Sequence, residues 1–207
     1  MGVWPWSDLV SHVMRYGRPD RPGYRVLELG CGAGANIPFF TAMGMEYHAI
    51  EGSEEIVGRL WRRFPELKSG IVVGDFTKEI TAPGHFDLVV DRASLTHNTT
   101  AAIKDAIALL KARLKPGSKF IGIDWFSTEH SDYSAGEQVE DVYTRRDVAK
   151  GTFAGVGRVH FSDQAHLEQL FSGFQFQSLE HKTVRREIPA GDNHVSAVWN
   201  FVASLPE

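Results

Sequence analysis

Glycine takes alternate positions in the run Glu28-Leu29-Gly30-Cys31-Gly32-Ala33-Gly34-Ala35, which lies between an apolar stretch and an amphipathic one. Glycines at this spacing let the chain turn sharply and bring its backbone against a ligand, where a Cβ would clash. Gly30-x-Gly32-x-x-Ala35 also fits a variant of the dinucleotide fingerprint, a weak pattern by itself. Glu51 follows Gly30 by 21 residues, at the end of a second apolar stretch. An acid there can accept both hydroxyls of a ribose, although alone it reads equally as an exposed glutamate. Gly74-Asp75-Phe76 closes a third stretch. A carboxylate beside a ring suits an adenine, the acid accepting from the exocyclic amine and the ring packing on the base. The alternative is Asp75 as the cap of a short helix.

These residues need strands and helices in alternation to hold them. Tyr24–Leu29, Tyr47–Ile50, Ile71–Val73, Phe86–Val90 and Lys119–Trp125 read as strands, the fourth apolar enough for burial on both faces. Ala35–Met43 and Ser53–Phe64 read as helices, the second N-capped by Ser53 with Glu55 and Arg59 paired one turn apart. Thr100–Leu114 sets Ile103, Ile107, Leu110 and Leu114 on one helical face, and Pro116-Gly117 is expected to stop it. This alternation implies βαβ units and a parallel sheet, with ligands at the carboxyl ends of the strands. A helix at Ser162–Phe171 then precedes two strand-like runs, Phe174–Glu187 and His194–Ala203, with the turn Pro189–Asn193 between them. Joined by a turn, they run antiparallel, so one of them enters the sheet reversed. Ser127–His160, 34 polar and glycine-studded residues, is too long for an idle connector and is expected to be a lid or binding loop.

Taken together, VLELGCGAGANIPFF (Val26–Phe40), YHAIEGSEEIV (Tyr47–Val57), VVGDFTK (Val72–Lys78), FDLVVDRASLTHN (Phe86–Asn98) and LLKARLKPGSKFIGIDW (Leu109–Trp125) resemble the class I S-adenosylmethionine-dependent methyltransferases in order and spacing. The resemblance implies an α/β, Rossmann-like, seven-stranded and mostly parallel sheet with an antiparallel last strand and helices on both faces. It implies one domain over residues 1–207, with S-adenosyl-L-methionine above the first, second and fourth strands. Carried over by position, Glu28 approaches the methionyl amino group, and Gly30, Gly32 and Gly34 form the floor beneath the sulfonium and ribose. Glu51 takes the ribose hydroxyls, Gly52 and Ser53 line the adenine side, Asp75 meets the adenine amine, and Phe76 stacks near it. Asp91 and Ala93 face the methionine part. An NAD-dependent oxidoreductase gives no reason for Glu28, for Asp75-Phe76 or for Asp91-Arg92-Ala93-Ser94, so hydride transfer ranks second. DRASLTHN after GDFTK is similar to a bacterial subgroup associated with surface-polysaccharide or unusual-sugar assembly, which implies a sugar or polysaccharide precursor as acceptor.

Methyl transfer from a sulfonium is an in-line substitution, so holding the nucleophile in line supplies most of the catalysis. An oxygen or nitrogen acceptor additionally calls for a base. His97, just after the fourth strand, is the first candidate, as base or substrate ligand; otherwise it caps the helix starting near Thr99. Asp124, near the end of the fifth strand, is the second, or else a sheet-end residue bonded to backbone. Arg92 either pairs with Asp91 or meets an acidic substrate. Arg145 and Arg146 either clamp an anionic acceptor or, with Glu137, Glu140 and Asp141 before them, form a solvated helix face. His130 and Asp132 with Glu129 make a loose cluster whose spacing matches no known ligand set, so no metal is expected. Trp4 and Trp6 should pack somewhere: in an N-terminal helix or lid within residues 1–20, at a dimer contact, or against the sheet. A non-catalytic cofactor-binding protein of this fold is the third reading, and a cleft filled by side chains on the His97 side would favour it.

Bulk properties agree with a small-molecule enzyme. The chain has 207 residues, 43% hydrophobic and 23% charged, the proportions of one globular domain. A net charge of −4 argues against nucleic acid, which needs a basic face. The single Cys31 excludes an internal disulfide framework and suggests a reducing compartment. No apolar run approaches the ~18–20 residues of a membrane span. The start lacks a signal-peptide pattern, and Trp6 stands where a Met1-Gly2 myristoylation signal wants Ser or Thr. A cytoplasmic bacterial enzyme, monomer or homodimer, acting on a small-molecule acceptor without membrane or nucleic acid is the expectation.

Overall fold

Runs of Val, Ile, Leu and Phe become strands in a computed structural model that describes residues 4–188 and 193–206. In chain order the strands are β1 (Arg25–Leu29), β2 (Glu46–Glu51), β3 (Ile71–Val73), β4 (Phe86–Arg92), β5 (Leu114–Phe126), β6 (Glu137–Gln138), β7 (Thr144–Arg146), β8 (Val159–His160), β9 (Gln175–Arg185) and β10 (Val195–Ser204). The helices are α1 (Ser7–Tyr16), α2 (Ile37–Ala42), α3 (Glu54–Arg63), α4 (Thr100–Lys111) and α5 (Gln164–Leu170). The main sheet has seven strands in the order β3-β2-β1-β4-β5-β10-β9. Its first five run parallel, and β10 lies antiparallel to both β5 and β9. The chain start at Met1-Gly2 and the expected turn residues Pro189–Asp192 lie outside the described residues.

Side chains alternate across the pleat and so build two cores. Val26, Leu88, Val90, Ile121 and Ile123 face Leu9 and Val13 of α1, Ile37 and Phe40 of α2, and Val57 and Leu60 of α3. Leu27, Leu29, Val89, Phe120 and Trp125 face Ile103, Ile107 and Leu110 of α4 and Leu167 and Leu170 of α5. Each of these side chains contributes on the order of 1.5–3 kcal/mol by leaving water. Hydroxyl and carboxylate caps start the helices that aim at the sheet's carboxyl edge: Ser53 accepts from Ile56 N (3.3 Å), Thr99 from Ala102 N (3.2 Å), and Asp163 from His166 N (2.8 Å).

Three expectations are corrected. The fourth helix ends at Lys111, not Leu114, and Leu114 already pairs with Phe86 in β5. Arg113 donates to the carbonyls of Ile80, Ala82 and Gly84, which pulls the chain out of the helix early. Pro116-Gly117 therefore does not stop a helix but lies in a register shift of β5, where the missing N–H costs little. Residues 127–160, expected to be a lid or binding loop, contain strands: β6, β7 and β8 form a second sheet over a core of Phe126, Val148, Phe153, Val159 and Phe161. Arg145 and Arg146 lie on strand β7 rather than a helix. Arg145 is buried over the Tyr133 ring and donates to the carbonyls of Tyr133, Val142 and Thr144, while Arg146 pairs with Glu140. Among the described residues no helix is long and apolar enough to cross a membrane.

Candidate active site

The loops at the carboxyl ends of β1, β2, β4 and β5 surround a cavity of about 790 Å³. Gly30, Gly32, Glu51, Gly52 and Phe76 line one part; His97, Phe126, Phe153 and Val198 line another, and Arg92, Ala93 and Asp124 belong to the same wall. A second cavity of about 250 Å³ shares Gly30, Gly32 and Arg92 with it and is walled by Trp6, Glu28 and Asn36.

The glycine turn divides its labour. Gly32 has φ +51°, and a Cβ there would meet no protein atom within 4 Å, yet the residue lines both cavities. Its absent side chain therefore keeps cavity space clear. At Gly34 (φ +76°) a Cβ would stand 2.7 Å from both Ile37 and Leu60. Gly34 lines neither cavity; its missing Cβ lets α2 and α3 pack against the turn.

Glu51 Oε2 accepts from Gly32 N (2.9 Å) and Oε1 from Ser53 N (3.1 Å), so the turn and the start of α3 aim one carboxylate along the cavity wall. Ser53 itself is the cap of α3 and lines neither cavity. Glu28 is buried, accepting from Asn36 Nδ2 (2.7 Å) and the Tyr47 hydroxyl (2.5 Å), and burial pushes its carboxyl up to about 7. Asn36 Oδ1 in turn accepts from Trp6 N (3.2 Å).

Arg92 departs from its expected pairing with Asp91. It bonds to Asp124 Oδ2 (2.8 Å), and its guanidinium lies 3.3 Å from the Trp6 ring centre. Trp6 thus packs over the smaller cavity, whereas Trp4 is 81% exposed, contrary to the expectation that both would pack. Asp91 is fully buried. It accepts from Leu95 N (3.1 Å) and the Ser94 hydroxyl, lines neither cavity, and has its carboxyl pushed up to about 6 by burial. Asp75 turns back on its own loop, accepting from Thr77 N (3.0 Å) and Thr77 Oγ1 (2.6 Å) and pairing with Lys78 (3.0 Å). Those hydroxyl and lysine contacts hold it below the ordinary carboxylate range, and it too lies outside the cavity lining.

Ala93 (φ +56°) and Asp124 (φ +57°) both adopt the left-handed region. Strain of about 1–3 kcal/mol at each is of the kind folds retain where a site needs a particular backbone path. His97 sits on the short helical turn Leu95–His97, its ring 5.8 Å from Phe126, with Nδ1 3.1 Å from the Arg158 carbonyl oxygen. A carbonyl only accepts, so Nδ1 carries a proton and Nε2 is the ring nitrogen left to meet an acceptor. The His97 side of the cavity is open space lined in part by His130, Thr152 and Phe153 from the 127–160 segment. Sequence reasoning missed Asn36, Tyr47, Phe126, Phe153, Ser196 and Val198. The first two stand inside the matched stretches, but their neighbours could not be read from spacing.

Residues 26–117 match the family model described as a methyltransferase domain. That stretch of the chain is therefore similar to a methyltransferase domain. The domain match runs from β1 into β5, so the 127–160 segment and the antiparallel pair of this chain extend beyond it. Its fold is similar to that of a SAM-dependent methyltransferase from Methanosarcina mazei (TM-score 0.73, 16% identity, 100% of each chain covered). The glycopeptide N-methyltransferase MtfA, solved with sinefungin, is similar at TM-score 0.63 and 19% identity, covering 97% of this chain and 86% of that one. The N-methyltransferase NodS from Bradyrhizobium japonicum, solved with S-adenosylhomocysteine, gives 0.62 and 17%, covering 97% and 87%. No curated protein matches the chain in sequence.

Proposed function

We propose that this chain is an S-adenosylmethionine-dependent methyltransferase that methylates an oxygen or nitrogen of a small-molecule acceptor, a sugar or surface-polysaccharide precursor, within a single 1–207 domain. The observation that carries this is one continuous cavity of about 790 Å³ with the Gly30–Glu51–Phe76 surface at one part and the His97–Phe126–Phe153 surface at another. Bound S-adenosylmethionine supplies a methyl already activated on a sulfonium. Gly30 and Gly32 leave room for it, Glu51 binds the ribose hydroxyls, and Gly52 and Phe76 border the adenine. Glu28 reaches the methionyl ammonium through the smaller cavity, with Ala93 and Arg92 beside it.

Gly34, Ser53, Asp75 and Asp91 support the site by packing and capping rather than by contact. Residues 127–160 form the acceptor side, and Trp6 at the start of α1 covers the methionine end. Aromatic faces at Phe126 and Phe153 suit a sugar ring's apolar face, and His97 Nε2 accepts the acceptor's proton. Asp124 is the second candidate because its Oδ2 is already held by Arg92.

The test is turnover, read as S-adenosylhomocysteine released across a panel of amino- and hydroxyl-bearing sugars. His97→Gln is expected to lower turnover about 100-fold while cofactor affinity stays within twofold. Undiminished turnover removes His97 from the chemistry.

A further inference from the structure

Three side chains that the methyl-transfer site does not use converge beside it. His130 starts the short helical turn Ser131–Ser134, Asp132 lies within that turn, and His194 immediately precedes β10, so a contact across 62 residues completes the group. One donor atom from each lies within 4.8 Å of the other two. Asp132 Oδ1 stands 2.9 Å from His194 Nε2 and 3.9 Å from His130 Nδ1. The edge of a tetrahedron around an ion held at zinc-like bond lengths is about 3.3 Å, between those two values.

Three further observations favour a cation over a plain hydrogen-bonded trio. Asp132 is 2% exposed and His130 4%, and among the described residues Asp132 pairs with no lysine or arginine. A buried carboxylate that faces two imidazoles and the backbone N–H of Phe153 (2.9 Å) and, among the described residues, no permanent positive charge is an arrangement a divalent ion completes. His130 Nδ1 accepts from Asp132 N (3.1 Å), so Nδ1 carries no proton, and an ion takes its lone pair in exchange for that backbone hydrogen bond. Gly151, at φ +100°, lets the chain close over the carboxylate: a Cβ there would fall on Asp132, 2.6 Å from its Cγ.

We propose that His130, Asp132 and His194 bind a first-row divalent transition-metal ion in the wall between two cavities. His130 lines the cavity of the active site and His194 a neighbouring one of about 400 Å³, and both cavities share Thr152 and Ser196. Two imidazoles and one carboxylate select zinc, iron(II), cobalt or nickel over magnesium or calcium, which prefer all-oxygen shells. Three protein donors leave coordination positions for water or an oxygen ligand. The proposal does not depend on the nature of the methyl acceptor.

Chelator-treated full-length protein, titrated with Co²⁺ by visible absorption and with Zn²⁺ by calorimetry, tests it directly. One equivalent bound at micromolar affinity or tighter is expected, with ligand-field bands appearing in the visible. His194→Gln and Asp132→Asn should each weaken binding at least about tenfold, whereas His85→Ala, at an exposed histidine elsewhere, should not. S-adenosylhomocysteine binding measured on the same samples reports that each variant is folded and keeps failure of the metal site distinct from failure of the cofactor site. If Asp132→Asn does not fold, His194→Gln alone decides. Absence of stoichiometric binding, or binding unchanged in the folded variants, overturns the proposal.

Discussion

Glu28 and Glu51 stand 23 positions apart and end the same sheet edge, yet their surroundings give them opposite tasks. Glu51 is oriented by two backbone N–H groups and faces the cavity. Glu51→Ala should weaken S-adenosylhomocysteine binding by about 1.5–3 kcal/mol in calorimetry, the loss of charged hydrogen bonds to the ribose; an unchanged affinity would contradict its role. Glu28 is buried with its carboxyl raised from the ordinary 4.5 to about 7. Native protein therefore binds the proton more tightly than unfolded chain. The stability this contributes is complete below pH 4.5 and is lost as pH rises through 7, by on the order of 3 kcal/mol. Thermal melts from pH 4.5 to 8 should show that decline, and Glu28→Gln should flatten it; parallel curves for the two proteins would refute the assignment. Residue types at this scale were legible: Glu28, Gly30, Gly32, Glu51 and Phe76 all line a cavity. The orientation of Asp75 and Asp91 was not legible, because which way a carboxylate turns depends on loop hydrogen bonds, here from Thr77, Ser94 and Leu95.

The β1–α2 turn shows how one element serves both ligand space and packing. Gly32→Ala places a methyl in the cavity at a cost to folding of about 1–2 kcal/mol for the left-handed backbone. Its larger effect should be on cofactor affinity. Gly34→Ala drives a methyl into Ile37 and Leu60 and should destabilise the fold by about 2–5 kcal/mol, combining backbone strain with overpacking. Chemical denaturation together with S-adenosylhomocysteine titration separates the two; equal loss of stability in both variants would contradict this division. Elements with strong periodicity or clear caps, β1 to β4, α3 and α5, could be read almost to their ends. The end of α4 could not, since apolar Leu114 serves the helical pattern and the strand equally well, and Arg113's bonds to a distant loop decide between them.

At the scale of the whole molecule, the site is closed by parts far apart in sequence. Trp6 comes from the N-terminal segment, Phe153 from the connection between β7 and β8, and Ser196 and Val198 from β10. No local pattern announces such contacts, which is why the tryptophan pair could be flagged as needing a place without that place being known. Arg92 joins these parts, stacked on Trp6 and paired to Asp124 across the mouth of the sheet. The central claim is that the large cavity accepts an adenosyl group between Glu51 and the glycine turn while the His97 side stays open for an acceptor. A crystal structure with S-adenosylhomocysteine measures this most directly. The ribose hydroxyls within hydrogen-bond distance of the Glu51 carboxylate, with the sulfur facing His97 and Phe126, are the predicted result; nucleoside density elsewhere, or a Glu51 still turned onto Gly32 with no ribose beside it, would contradict the account.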